Sequence, residues 1–436
     1  MELTNDQQKA YDYIADAYKK KTNVVLSGRA GVGKTFLTQK INKEIFQGNT
    51  AGITVSHKAK NILKKAVGSN EVDIMTYAKA MGKMPDIDPE TGLTVFKSIG
   101  ECNINHSNYF IDECSMFSPN MIKEFEEEVE MNQFLGDSFI LYVGDYHQLP
   151  AIDNENIDFS PLFKRESVVI MNQIIRQEED NPIRTLTNAT ADCIEGDRNV
   201  LALLKTFKSD FNKERQQGVV ITRNRFDIVK TYVNAFNDNV EFGESNKMAI
   251  IAYRKDTVYS LNRQIRLKLG LTKEYQKGDI IMTTSNYKIN KENFIQNGEE
   301  FWVEGVEYDI IEKIPCWKLF CFRMEEGKKI SVELPVVMRE HYKDYKKRKN
   351  ELVTGMQNAN YKKKGFHKNL IKKFTEKFCM VQHAHALTAY KAQGSTIDTV
   401  FFDCTDVLDV KPLNDLKKLQ SIYVGLTRAA NRLVIY

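Results

Sequence analysis

The stretch Val24–Leu37, VVLSGRAGVGKTFL, is an apolar run that breaks into glycines and restarts with helix-forming residues. It fits the pattern G-x-x-x-x-G-K-[ST], with Gly28, Gly33, Lys34 and Thr35 in the required places. A chain with this feature has to build a strand–loop–helix unit and cover the strand on both faces, which calls for a parallel sheet and an α/β fold. The loop itself is a phosphate cradle. Its glycines let the backbone N–H groups of Ala30, Gly31, Val32 and Gly33 approach an anion, and the helix that begins with Lys34, Thr35 and Phe36 adds its positive end. Lys34 is expected to reach the outer phosphates of ATP, and Thr35 to offer its hydroxyl to Mg2+.

The flanking sequence agrees with such a unit. A polar-faced helix runs through Lys20, the strand NVVLSG follows, and after the helix from Lys34 to about Phe46 come the strand AGITVS and a helix from Lys58 to about Val67. The strand YFIDE ends in Asp112 and Glu113, where a phosphate-loop enzyme needs a carboxylate in the shell of its metal. Asp112 suits Mg2+, and Glu113 suits orienting or deprotonating the attacking water. LYVGDYHQLPAI places Gln148 at the end of another apolar run, and its amide can touch the terminal phosphate and a second element at once. The residues taken this far specify an ATPase.

Together with AYKAQGST and YVGLTRA, the motifs GRAGVGKT, IDECSM and VGDYHQLP resemble those of superfamily 1 helicases, in the RecD-like branch and nearest the phage Dda type. They occur in order along nearly the whole chain. The resemblance implies two RecA-like parallel-sheet lobes with ATP between them, and movement along single-stranded DNA in the 5′ to 3′ direction. It assigns Gln7 to reading adenine, and Arg176 in MNQIIRQ and Arg428 to the terminal phosphate, contributed by the second lobe. Gln393 and Gly394 would connect nucleotide to nucleic acid, and His57, Tyr390 and Lys391 are candidate DNA contacts. Tyr390 stands where the family often has histidine, and Val55–Ser56 where it often has proline–threonine. An RNA-directed helicase or a non-unwinding translocase of the same superfamily is the alternative. A nucleotide switch without motor action would have no use for Gln148, Arg176, Gln393 and Arg428 together.

The rest of the chain divides around these motifs. Residues 1–80 and 109–166 are expected to form the first lobe, interrupted at 81–108 by a hairpin in PDIDPETGLTVF. Moving along one strand does not separate two, so a helicase also needs an obstacle at the fork. Phe96, the only phenylalanine of the insert, is the candidate wedge. Residues 167–276 and 378–436 are assigned to the second lobe. Within 277–377, short strands around the turn Asn297–Gly298 suggest a small SH3-like antiparallel barrel, followed by a basic helical segment.

Charge and composition narrow the partners. From Arg339 to Lys377 there are thirteen Lys or Arg against four Asp or Glu, a local +9, while the remainder carries 49 basic and 54 acidic residues. A concentrated basic element on a slightly acidic protein suits either a solvated helix surface or a polyanion-binding arm. Seven cysteines form no C-x-x-C pair, as expected of reduced thiols. His383 and His385 share one strand face, but no carboxylate or thiolate stands beside them in sequence. No apolar stretch approaches eighteen residues and the N-terminus is acidic. A cytoplasmic protein without a membrane partner is therefore expected, acting as a monomer on single-stranded and forked DNA. A single-strand-binding or replication protein is a further expected partner.

Overall fold

In the computed structural model the described residues are 3–55, 57–67, 72–88, 94–98, 101–132, 138–151, 157–173, 181–222, 224–244, 247–289, 294–325 and 327–436. Helix α1 (Asn5–Lys19) opens with a capping box, in which Thr4 Oγ1 accepts from the Gln7 N–H and Gln7 Oε1 accepts from the Thr4 N–H. Then β1 (Val24–Gly28), α2 (Lys34–Glu44), β2 (Thr50–Thr54), α3 (His57–Val67), β3 (Asp73–Thr76) and α4 (Tyr77–Ala80) alternate. A hairpin of β4 (Lys83–Ile87) and β5 (Thr94–Ser98) follows, and the sheet resumes with β6 (Asn108–Ile111), α5 (Pro119–Met131), β7 (Phe139–Gly144) and β8 (Val168–Met171). The first sheet has the order β3-β2-β6-β7-β1-β8, all parallel. Its four central strands are buried along their whole length, as strands covered by helices on both faces must be.

The strand SVVIMN, expected to open the second lobe, belongs to the first. β8 pairs beside β1, with Val25 opposite Val168 and Gly28 opposite Met171. The boundary expected at 166/167 therefore lies beyond Gln173. An apolar run of this length reads the same in either sheet, and its pattern does not name its neighbour.

The second lobe runs through α6 (Pro182–Glu195), α7 (Val200–Thr206), β9 (Asp210–Asn212), β10 (Gln217–Ile221), α8 (Arg225–Asn239), β11 (Met248–Ala252) and α9 (Lys255–Lys268). A smaller unit interrupts it, with β12 (Ile280–Thr283), β13 (Tyr287–Lys288), β14 (Phe294–Ile295), β15 (Glu300–Ile311), β16 (Ile314–Glu325) and β17 (Lys328–Val337), then the helices α10 (Tyr342–Gln357) and α11 (Tyr361–Thr375). The chain closes with β18 (Val381–His383), β19 (Ala386–Thr388), α12 (Ala389–Ala392), β20 (Ile397–Phe402), α13 (Cys404–Leu408), α14 (Asp415–Thr427) and β21 (Ala429–Ile435). The second large sheet has the order β19-β11-β20-β21-β10-β9, parallel except for β9.

The smaller unit is a five-stranded antiparallel sheet, β17-β16-β15-β12-β18. β18 belongs to it, so the strand VQHAHALT splits at Ala384: Val381–His383 completes the small sheet and Ala386–Thr388 the large one. α10 and α11 carry the basic segment. Tyr345, Phe374 and Phe378 anchor the pair on Ile314, Cys316 and Val337, with Lys343, Lys346, Lys347, Lys363, Lys372 and Lys373 exposed. Among the described residues, no helix is long and apolar enough to cross a membrane.

Candidate active site

The phosphate loop folds as its glycines require. Gly31 and Gly33 sit at φ 85° and 84°, a region that costs residues with a Cβ about 1–2 kcal/mol. A Cβ at Gly28 would stand 2.8 Å from Val32 Cγ2 and 3.0 Å from the Met171 carbonyl oxygen, so β8 closes against the loop and leaves no space for a side chain. Lys34 Nζ donates to the carbonyls of Gly28 at 2.6 Å and Arg29 at 3.2 Å, which holds the ammonium over the loop's mouth. Gln7 is buried, and its Nε2 donates to the Val32 carbonyl at 3.3 Å while its Oε1 caps α1. One N–H and one lone pair of the amide stay open, the complement of a base edge.

The loop borders a cleft of about 800 Å³ that is also lined by Gln7, Asp112, Glu113 and Gln148 from the first lobe and by Gly394 and Arg428 from the second. Glu113 has left-handed backbone geometry, φ 52° and ψ 44°, a conformation that side-chain-bearing residues hold only when the surroundings impose it. Burial, with the neighbouring Glu113 carboxylate, pushes the Asp112 carboxyl well above its ordinary range. Gln148 is buried, and its Oε1 has no hydrogen-bond partner, a cost that a polar ligand in the cleft would remove.

Thr35 and Asp112 on the same cleft wall give one hydroxyl and one carboxylate. Such a sparse oxygen set fits Mg2+, which fills its other positions with water and phosphate oxygens. Among the described residues, no cluster of three His, Cys, Asp or Glu is arranged to hold a metal by protein alone.

From the second lobe, Arg428 caps the end of α14. It is buried and donates to the Ser395 carbonyl at 3.3 Å and to Thr427 Oγ1 at 3.0 Å. Gly394, at φ 72°, lies across from Glu113, because an added Cβ would come within 3.8 Å of Glu113 Oε1. Gln393 donates across the lobes to the Leu149 carbonyl at 3.2 Å, next to Gln148 in the chain. Arg176 lies outside the described residues. Six of the expected cleft groups thus converge from both lobes: Lys34, Thr35, Asp112, Glu113, Gln148 and Arg428.

Sequence reasoning missed a third wall. The turn Asn297–Glu300 and the strand end Arg323–Glu325 of the small antiparallel sheet also line the cleft, with Arg323 paired to Glu299 and, at 3.1 Å, to Glu325. The Asn297–Gly298 signal marked a turn, but nothing in it told which surface the turn would face.

Of the candidate nucleic-acid residues, Phe96, Tyr390 and Lys391 are not among the residues that line the cleft. His57 begins α3; Phe96 on the hairpin is 56% exposed, without the burial that a packing role would give it. Tyr390 is half-buried, and Lys391 Nζ donates to Gln382 Oε1 at 2.9 Å. His385 is buried with Nδ1 3.2 Å from the Tyr232 hydroxyl, and His383 stacks on Tyr275. Burial pushes both imidazoles down to about 3, so they are neutral packing groups.

Residues 2–207 match the family described as an AAA domain, and residues 383–436 match the UvrD-like helicase C-terminal domain. An uncharacterized protein of Acanthamoeba polyphaga mimivirus is 23% identical over 94% of both chains. The ATP-dependent DNA helicase Pif1 of Campylobacter jejuni is 31% identical over 30% of each. Among solved structures, the Bacteroides Pif1 helicase in complex with ADP-AlF3 and ssDNA shares the fold at a TM-score of 0.52 and 16% identity. A structure of two coordinating Pif1 helicases at forked dsDNA does so at 0.52 and 17%; each alignment covers 100% of this chain and 92% of the other. With a two-lobed phosphate-loop cleft, a match to an AAA domain at one end and to a UvrD-like helicase C-terminal domain at the other, the chain is an ATP-dependent helicase that shares its fold with the Pif1 helicases.

Proposed function

We propose that this helicase translocates along single-stranded DNA in the 5′ to 3′ direction, as the RecD-like branch and its Dda-type phage members do, and parts duplex DNA at a fork. The observation that carries this reading is the shared cleft: the phosphate loop and strand-end carboxylates lie on one lobe, and Arg428 and Gly394 on the other. A nucleotide seated there is held from both sides, so binding favours closure and hydrolysis releases it.

Each group has a role that its position supports. Lys34 and the loop N–H groups hold the outer phosphates. Glu113 takes a proton from the attacking water, Gln148 orients that water, and the planar fork of Arg428 stabilises charge building on the terminal phosphate. Bound Mg2+, with Thr35 and Asp112 as its protein ligands, would neutralise phosphate charge. Arg176 is assigned as a second arginine toward the same phosphate. Gln393, bonded to the Leu149 carbonyl beside Gln148, gives a short path from cleft to second lobe, where Tyr390 and Lys391 sit for a DNA strand, with His57 on the first.

The hairpin β4–β5 supplies the obstacle, with exposed Phe96 as the stacking ring. Base–aromatic stacking of roughly 1–3 kcal/mol is comparable with one step of duplex. The reading extends to a monomer acting in DNA replication in the cytoplasm, of a host cell if the gene is viral, alongside a single-strand-binding protein.

The test is strand opening on duplexes with one single-stranded tail, alongside ATP hydrolysis with DNA, with RNA and with neither. The expected result is hydrolysis stimulated by single-stranded DNA and opening of the 5′-tailed duplex only. Phe96→Ala should lose opening and keep DNA-stimulated hydrolysis. Preferential opening of the 3′-tailed duplex, or stimulation by RNA alone, would overturn the proposal.

A further inference from the structure

Two residues of the phosphate loop itself are bound to the second lobe. Arg29 Nη2 pairs with Asp192 Oδ1 at 2.6 Å and Glu195 Oε1 at 3.2 Å on α6, and its Nη1 reaches Asn188 Oδ1 at 3.3 Å. The N–H of Ala30 donates to the Tyr423 hydroxyl on α14 at 3.1 Å, and that hydroxyl donates to Asp145 Oδ2 at 2.9 Å. Asp145 follows β7 in the first lobe. Its Oδ1 stands 3.0 Å from His147 Nδ1, and His147 Nε2 stands 2.6 Å from the same Glu195 oxygen that Arg29 contacts. Arg29, Glu195, His147, Asp145, Tyr423 and Ala30 thus form a closed circuit that crosses the lobe interface four times, and Gln148 is the next residue after His147.

The circuit fixes the charge on the imidazole. A neutral ring has one N–H and one lone pair, yet both nitrogens of His147 face carboxylate oxygens within 3.0 Å. Both carboxylates are held ionised by other donors, Asp145 by Tyr423 and by the His147 backbone N–H, Glu195 by Arg29. Only the imidazolium donates to both. The ring is buried, packed 5.3 Å from the Tyr423 ring and 5.5 Å from that of Tyr146. The charged groups facing it are Asp145 and Glu195, with Arg29 behind Glu195 and Lys34 acting on Asp145.

We propose that His147, as the imidazolium, is a positioning residue for ATP hydrolysis: it fastens the loop that carries Gln148, and through Glu195 and Arg29 the phosphate loop, to α6 of the second lobe, so that turnover depends on the proton His147 holds. This deepens the function proposed above and rests on the cleft being a hydrolytic site. Burial opposes the charged ring, but Asp145 and then Glu195 outweigh it and raise its pKa above the ordinary value, while the same contact helps to hold Asp145 at about 2. A raised histidine keeps its link at low pH and loses it as pH rises through the raised value. Hydrolysis therefore carries an alkaline limb set by His147.

The experiment is the pH profile of kcat and KM for DNA-stimulated ATP hydrolysis, with melting temperatures at each pH, for the full chain and two variants. Glu195→Gln leaves Arg29 paired to Asp192 and removes one carboxylate from the ring; because Glu195 is half-exposed, the variant is expected to fold. Its alkaline limb in kcat should move to lower pH by about one unit, with KM little changed. His147→Gln should turn over more slowly and show no limb in that window. A Glu195→Gln profile that superimposes on the parent's, with normal hydrolysis, would overturn this inference alone, as would a limb that survives in folded His147→Gln. Absence of hydrolysis in the parent chain would remove the cleft reading and this inference with it.

Discussion

The two large sheets share a build and differ in what occupies the ends of their strands. In the first, β1 lies between β7 and β8 and runs into the phosphate loop. In the second, β10 lies in the corresponding place between β21 and β9, but the helix after it begins with Arg225, whose guanidinium pairs with Asp403 and stands 3.8 Å from Asp406. Asp406 is enclosed by donors: Tyr253 N at 2.9 Å, Arg254 N at 2.8 Å, Thr257 Oγ1 at 2.5 Å and the Arg254 side chain at 2.7 Å. Glycines leave one strand end open to a phosphate, and arginines seal the other with carboxylates. The same fold offers the position twice, and side chains decide which copy does chemistry.

The carboxylates record the difference. Burial beside Glu113 raises the Asp112 carboxyl. Burial alone would also raise that of Asp406, but Thr257, Arg254 and Tyr253 bring it below its ordinary value. A depressed carboxylate adds stability that is present above its unfolded value, roughly 3.9, and is lost as pH falls through the folded one. Asp112, raised, works the other way and gives up stability at neutral pH for a position that suits a metal.

The contrast between the sheets breaks if the second lobe proves to be only a support. Arg428→Ala tests that most sharply, with an expected fall in DNA-stimulated turnover of roughly 10³ to 10⁵ and retained far-ultraviolet circular dichroism; normal turnover would show that the second lobe contributes nothing to chemistry. Next in size is Glu113→Gln, which keeps the shape and removes the proton acceptor. Turnover should drop by roughly 10² to 10⁴ while nucleotide and DNA affinities persist, and an unchanged rate would cancel the assignment. Asp406→Asn probes the sealed strand end. It should destabilise the fold by about 2 kcal/mol and lower the melting temperature by several degrees, with hydrolysis per folded molecule unchanged. A larger loss of activity than of stability would mean that this end also serves catalysis. The smallest effect is expected from replacing Lys346, Lys347, Arg348 and Lys349 by glutamine. If α10 touches phosphates, the salt dependence of DNA binding should flatten by about one unit of logarithmic slope for each phosphate no longer neutralised, whereas an unchanged slope would make the helix a solvated face.

The first-lobe site was legible because its chemistry is local. Gly28 to Thr35 must be contiguous to wrap a phosphate, and Asp112 and Glu113 must end a strand, so spacing and strand pattern expose them. Gln148 stood at the end of another apolar run in the same way, whereas Arg428 was reached only through the resemblance to helicases. The partition of strands was not: β8 joins the first sheet and β18 the small antiparallel one, although both carry the apolar pattern of their neighbours in sequence. Periodicity reports which face of a strand is buried and is silent about which strand lies beside it.

Sequence alone determined the α/β class, the phosphate loop, the strand-end carboxylates and the basic segment, because each depends on residues within one turn or one strand of each other. Tertiary structure alone decided that Arg29 meets Asp192 and Glu195, that His147 is held between Asp145 and Glu195, and that a turn of the small sheet walls the cleft. Glu195 is 48 positions from His147 and Arg29 is 166 from Glu195. No pattern in the chain links such positions; the packing of α6 against the first lobe brings them within hydrogen-bond distance, and burial there gives their charges the strength that the sequence does not show.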